Sequence, residues 1–273
     1  MYSIIISAIT AIIVHLLFWK LDVSNPWWAI LWAALAFFAT MFGVSFAVKK
    51  KVSAVMGEMQ RMMIEGRDLI QRKVADFQRR PTGDPRAMMT QLEKLQQKQI
   101  ESALEFTKRL EPFAKWIPLL SRQINTTRMQ FYYQLKNFKE VDALLPKCLI
   151  LDPISGAMKL ARQHVAQAPI ADIEKTFDSI SKRLRYNQSV LLYSLMAWIY
   201  VKNNDADKAH KTLVKGCAMN ENDTLKKNRD RLANDKLREF SNANLGDEWY
   251  ALFLEEPKMR VERRMPRADG RPF

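Results

Sequence analysis

FYYQLKNFKEVDALLPKCLILDP, residues 131–153, decides how the rest of this chain is read. Lys136 and Asn137 form a polar pair between two apolar runs, where a turn belongs. Beyond it Val141, Leu145 and Cys148 recur at helical spacing and share one face. Leu151-Asp152-Pro153 closes the segment, because proline cannot continue a helix and pushes the residue before it out of the α region. The stretch is expected to be a turn and a second helix, with Tyr132 as the aromatic that the first helix presents to it.

The pattern recurs in register. Stepping from Tyr132 leads to His164 and Tyr200, 32 and 36 residues further on. The small or branched position after the turn gives Val141, Ile173 and Ala209. The bulky position gives Leu145, Phe177 and Leu213, and the close-packing position gives Cys148, Ile180 and Gly216. One helix pair cannot bury its apolar face alone, whereas about three stacked pairs can. With AWIYVKNNDADKAHKTLVKGCAMNEN (197–222) as its third occurrence, the pattern resembles the tetratricopeptide repeat (TPR), a helix pair recurring about every 34 residues. The middle unit departs from it: Arg185 stands where the proline would be, and Pro169 falls at the turn. The resemblance covers residues 124–222 and implies protein–protein interaction. It also implies a concave face lined by the first helix of each unit. That face would carry Gln130, Tyr133 and Gln134, then Met158 and Arg162, then Trp198 and Lys202. Aromatics there would supply contact area, and Arg162 with Lys202 would hold an acidic side chain or a terminal carboxylate.

Upstream the chain changes character. Residues 1–19 are almost purely apolar, and residues 27–48 hold no formal charge. Each run is about long enough to cross a hydrocarbon core of ~30 Å at ~1.5 Å per residue. The short segment 20–26 between them makes a tight transmembrane hairpin, and no basic n-region or small-residue cleavage site suggests a signal peptide. Lys49, Lys50 and Lys51 follow the second run, while Lys20 and Asp22 cancel in the loop. The positive-inside rule then puts both termini in the cytoplasm, as in a bacterial inner membrane. Trp19, Trp27 and Trp28 would mark the far interface. Small residues every fourth position (Ser3, Ser7, Ala11 and Ala39, Gly43, Ala47) would let the two helices approach closely. His15 continues the first stripe; an ionisable residue inside a span is a functional candidate, or a neutral histidine tolerated near the interface.

Residues 49–118 read as an amphipathic helical neck. Val52, Val55, Met56, Met59, Met62 and Met63 open a three-and-four spacing, Arg79-Arg80-Pro81-Thr82-Gly83-Asp84-Pro85 breaks it, and a second helix over 88–111 follows. The pair can close within the chain or as a coiled coil with a second copy. Residues 119–222 are the TPR-like repeats. Residues 223–256 read as capping helices, one over 224–240 and one over 247–256, with Glu255 and Glu256 at a solvated helix end. Residues 257–273 form a basic tail of net charge +4. The fold class is therefore all-α: a transmembrane hairpin, a helical neck, and a short TPR-like α-solenoid with capping helices.

The net charge of +14 over 273 residues favours anionic partners. Beside a membrane, Lys49, Lys50, Lys51 and the tail would meet anionic lipid, and no zinc-finger or RNA-recognition signature supports nucleic acid. His15, His164 and His210 show no metal-ligand spacing, and Cys148 and Cys217 read as buried, inert thiols. No phosphate loop, nucleophile elbow or paired-acid motif is visible, so no catalytic, cofactor-binding or metal residues are assigned and an enzyme is not expected. Two readings follow. One is a non-enzymatic membrane scaffold that recruits a protein partner through its repeats. The other is a structural subunit of a membrane enzyme, transporter or secretion complex.

Overall fold

The computed structural model describes residues 2–20, 26–79 and 84–257. The interspan loop 21–25, the core of the 79–85 break and the basic tail from 258 onward lie outside the described residues. Every regular element among the described residues is helical. The chain divides into two compact units, Met1–Ile150 and Leu151–Phe273.

In the first unit, helix α1 (Tyr2–Lys20) lies along α2 (Pro26–Arg79), and both are long and apolar enough to cross a membrane. They cover little but each other, since about nine-tenths of each apolar window is unburied. On α1, Ser3 and Ser7 are buried as the stripe expects. The α2 stripe differs. Ala39, Gly43 and Ala47 are exposed, and a Cβ on Gly43 would meet nothing within 4 Å, while Ala33, Ala36, Thr40 and Val44 are the half-buried side. Small residues permit a close approach but do not choose the face; both faces of this part of α2 are rich in alanine.

α2 continues without a break past Lys51 as one 54-residue helix, ~80 Å at 1.5 Å per residue. α3 (Pro85–Ala114) returns alongside it. Its start is set by Asp84, whose carboxylate accepts the Arg86 N–H at 3.0 Å, with proline in the first turn where no N–H is needed. The two helices are joined by Met59 and Ile100, and by the Gln99 amide, which donates to Met63 O at 2.7 Å. Gly66 makes room for that amide. α4 (Leu120–Gln134) then packs on α3, placing Phe131 against Met59, Ile100 and Ala103. Helix α5 (Phe138–Leu144) follows α4 and buries Val141 completely.

One expectation fails here. Leu145 and Cys148 do not extend α5, because Pro146 turns the chain into a single 3₁₀ turn, Leu145–Lys147, and Cys148 is already extended. Both residues end half-buried. The segment then lies along α4, with the Leu149 N–H donating to Thr126 Oγ1 at 2.9 Å.

The second unit contains α6 (Pro153–Val165), α7 (Ile170–Ser181), α8 (Val190–Lys202) and α9 (Ala206–Met219), then α10 (Asp223–Ala233) and a short α11 (Asp247–Tyr250). Pro153 opens α6 as well as ending what precedes it: Asp152 caps the helix by accepting the Ser155 N–H at 2.8 Å. α8 forms the centre. Residues 191–200 are buried on every side, a helix apolar all round and covered all round. Gly216 of α9 faces Tyr193 of α8, where an added Cβ would sit 3.0 Å from the Tyr193 Cβ and Cγ. Gly156 of α6 is equally tight against Ile180.

α10 stops earlier than residue 240. Asn234 ends the helix, and Asp235, at φ +55°, takes the chain through the left-handed region that its short polar side chain tolerates. α11 is likewise a single turn and does not reach residue 256. Buried asparagines fasten this end, each with partners. The Asn242 amide donates to Ser194 O at 3.0 Å, the Asn228 amide to Asn242 Oδ1 at 2.9 Å, and the Asn220 amide to Gly216 O at 2.9 Å.

Candidate partner-binding surface

Three helix pairs carry the residues in question: α4/α5, α6/α7 and α8/α9. Their turns share one backbone solution. Lys136 (φ +57°), Gln167 (φ +54°) and Asn204 (φ +58°) each sit in the left-handed region just after the first helix. The left-handed residue donates its N–H three residues back, to Tyr133, His164 and Val201. The next residue donates five back: Asn137 to Tyr132 O, Ala168 to Gln163 O and Asp205 to Tyr200 O, each at 2.9 Å. This doubly bonded ending satisfies carbonyls that a helix end leaves open.

The turns also correct the register. Tyr132 and Tyr200 are equivalent, but their counterpart in the middle pair is Gln163, one residue before His164. Pro169, in place of an Asn or Asp cap, puts one more residue into that turn before α7 starts. The second helices remain in step, with Val141, Ile173 and Ala209 all buried. A proline at the turn was visible in the sequence; that it shifts the first helix by one residue was not.

Tyr133 is 1 % exposed and meets Phe138 edge-on, Met158 is 2 % exposed and Trp198 is 6 % exposed. Those three spend their area on packing. Gln134 and Lys202 are exposed, and Gln130 and Arg162 are half-buried. Gln130, Tyr133 and Gln134 belong to the first unit and the other four to the second.

In the second unit the surface forms a cleft of about 820 Å³ among the α6–α7 turn, α8, the start of α9 and residues 253–254. Trp198 forms part of the wall, with the His164 ring edge-on at 5.2 Å and the Lys202 ammonium 5.2 Å from the ring centroid. Tyr200 and Lys208 also line the cleft, and both bond Glu174. Glu174 accepts from the Tyr200 hydroxyl at 2.8 Å and from Lys208 Nζ at 3.0 Å. Those two bonds hold the Glu174 carboxyl below the usual carboxylate range. Burial, then the neighbouring carboxylate, pushes the Tyr200 phenol up. Burial also pushes His164 down, and the Lys202 charge adds to it.

Sequence reasoning missed Glu255. Its carboxylate accepts from two indoles, Trp198 Nε1 at 2.7 Å and Trp249 Nε1 at 2.9 Å, whose rings meet at 5.8 Å. Phe253, at φ +53°, lets the chain after α11 fold back to make this clamp. A helix-end glutamate gives no sign of a partner 57 residues away.

Among the described residues no cluster of three or more His, Cys, Asp or Glu side chains is arranged to hold a metal ion. In comparison with known proteins, the chain matches no family model, no curated protein and no solved structure at a significant level.

Proposed function

We propose that this chain is a membrane-anchored scaffold, related in build to tetratricopeptide-repeat proteins, that recruits a protein partner at the cytoplasmic face. The observation that carries the reading is the threefold recurrence of one helix–turn–helix, with the same left-handed residue and paired backbone bonds at each turn. Such a recurrence is how a repeat looks when its side chains have diverged, because the turn constrains the backbone and few residue identities. α10 and the segment through Glu255 act as the capping layer over the last pair. The α1–α2 hairpin spans the bilayer, with Lys49, Lys50 and Lys51 on the cytoplasmic side and the chain beyond them there too. A periplasm-active reporter fused to the C-terminus stays silent on this reading; strong activity overturns the orientation.

The partner offers an acidic segment to the Arg162–Lys202 side of the second unit. Lys202 over Trp198 is a cation beside an apolar wall, which suits a carboxylate carried on an apolar peptide. The test is Arg162→Glu with Lys202→Glu in the full chain, purified from membranes at moderate salt. Loss of a co-purifying protein while the helical signal is retained supports the scaffold. If every partner stays bound, the groove is not the recruiting surface. A stoichiometric membrane protein retained by the double variant favours instead a structural subunit of a membrane complex.

A further inference from the structure

We infer that the turn between α3 and α4, residues 115–119, docks on the membrane surface and gives the chain a third contact with the bilayer; this rests on the reading of α1 and α2 as spans. Two rulers place the turn at head-group level. The first is α1. With 19 residues it is ~28 Å long, close to the ~30 Å hydrocarbon thickness, so as a span it has its first residue at one interface. That residue is tied to the turn: the Tyr2 N–H donates to Lys115 O at 3.0 Å, and Ser3 Oγ donates to Trp116 O at 2.8 Å. The second ruler is α2. Val52 and Val55, one and four residues after the exposed Lys49–Lys51 run, pack beside Phe113, Ala114 and Ile117 on the cluster of Leu110, Leu120 and Ile124. Both rulers give the same level.

The side chains at that level fit a lipid surface. Tyr2 and Trp116 meet edge-on at 5.5 Å, and Tyr2 is 46 % exposed. Aromatic rings with a polar edge favour the head-group region. Lys115 in the turn and Arg122 in the first turn of α4 are exposed, as an anionic leaflet would select. Leu119 is 55 % exposed and holds φ +66°. Most of the other non-glycine residues at positive φ are polar (Lys136, Gln167, Asn187, Asn204, Asp235). A leucine in a conformation that favours glycine or asparagine, with its side chain out, is strained and unburied at once. A bilayer at this height covers it.

The experiment uses the full chain in vesicles of phosphatidylethanolamine and phosphatidylglycerol, with Cys148 and Cys217 changed to Ser. Spin labels are placed singly at Leu119→Cys, at Phe38→Cys in the α2 span, and at Met89→Cys near the start of α3. Collision rates with oxygen, which partitions into lipid, and with a water-soluble nickel chelate are compared. The oxygen-to-nickel ratio at position 119 is expected several-fold above that at 89 and toward that at 38. A ratio at 119 equal to that at 89, with 38 still in lipid, overturns the docking alone. Water exposure at 38 overturns the span reading and the docking with it. Leu119→Asn, suited to the left-handed backbone, should leave the helical signal intact and weaken lipid protection of the neighbouring Trp116 against aqueous quencher; unchanged protection counts against the proposal.

Discussion

Two apolar helices in this chain meet opposite fates. α1 has a mean hydropathy of 2.1 over its window and hides only 11 % of it, whereas α8 buries ten residues in succession. Both lack a polar face. Length separates them: α8 has 13 residues, ~20 Å, too short for a bilayer, and it is surrounded by α6, α7, α9 and α10. Apart from the ties of Tyr2 and Ser3 to Lys115 and Trp116, α1 packs on α2, and most of both apolar windows is unburied. How much of an apolar helix protein covers depends on how many neighbours the chain supplies, and α1 is left with the length and the bare apolar surface that a membrane span needs.

The contrast is sharpest under truncation. Leu192→Ala, at a fully buried α8 position, should cost about 2–5 kcal/mol in denaturant unfolding of the full chain in detergent. Phe42→Ala, 75 % exposed on α2, should stay within about 0.5 kcal/mol. Equal losses at the two sites would break the comparison, because Phe42 would then be packed against protein.

A smaller effect separates two glycines. Gly216→Ala drives a Cβ into Tyr193, an overpacking cost of about 1–3 kcal/mol, offset in part by about 1 kcal/mol of helix propensity. Gly66→Ala meets only the far end of the Gln99 side chain, which can swing away. It gives up one hydrogen bond, about 1 kcal/mol, and gains as much in propensity, so it should be near neutral. Melting curves showing Gly66→Ala as the more damaging change would mean that the α2–α3 contact is the tighter one.

The smallest effect is a pH slope. His164 has a folded pKa below its unfolded value of about 6.5, so the unfolded chain takes up the proton first on acidification. Its contribution to stability is complete above that value and is lost as pH falls through the folded pKa. Glu174, also lowered, acts the same way in the more acidic carboxylate window. Unfolding free energy should therefore decline from pH 7.5 to 5.5, and His164→Gln should flatten the decline. An unchanged slope in that variant would assign the effect elsewhere.

Local chemistry is legible in the order of residues alone. Two apolar runs of spanning length, the continuation of α2 past Lys51 and the break before Pro85 follow from spacing and from proline. So do the buried Val141, Ile173 and Ala209, because helical period and burial are bound together. The end of α5 is legible as well, because the N–H missing at Pro146 weighs more than the apolar period through Leu145 and Cys148. Only the tertiary structure decided the rest. Which face of α2 meets α1, the one-residue shift at Gln163, the two-indole clamp on Glu255 and the tie of Tyr2 to Lys115 all join residues through backbone course or through partners distant in sequence. Neighbouring residues set where a helix starts and stops; what each face touches is settled when the helices compete for one another's surfaces, and the order of residues along the chain does not record that outcome.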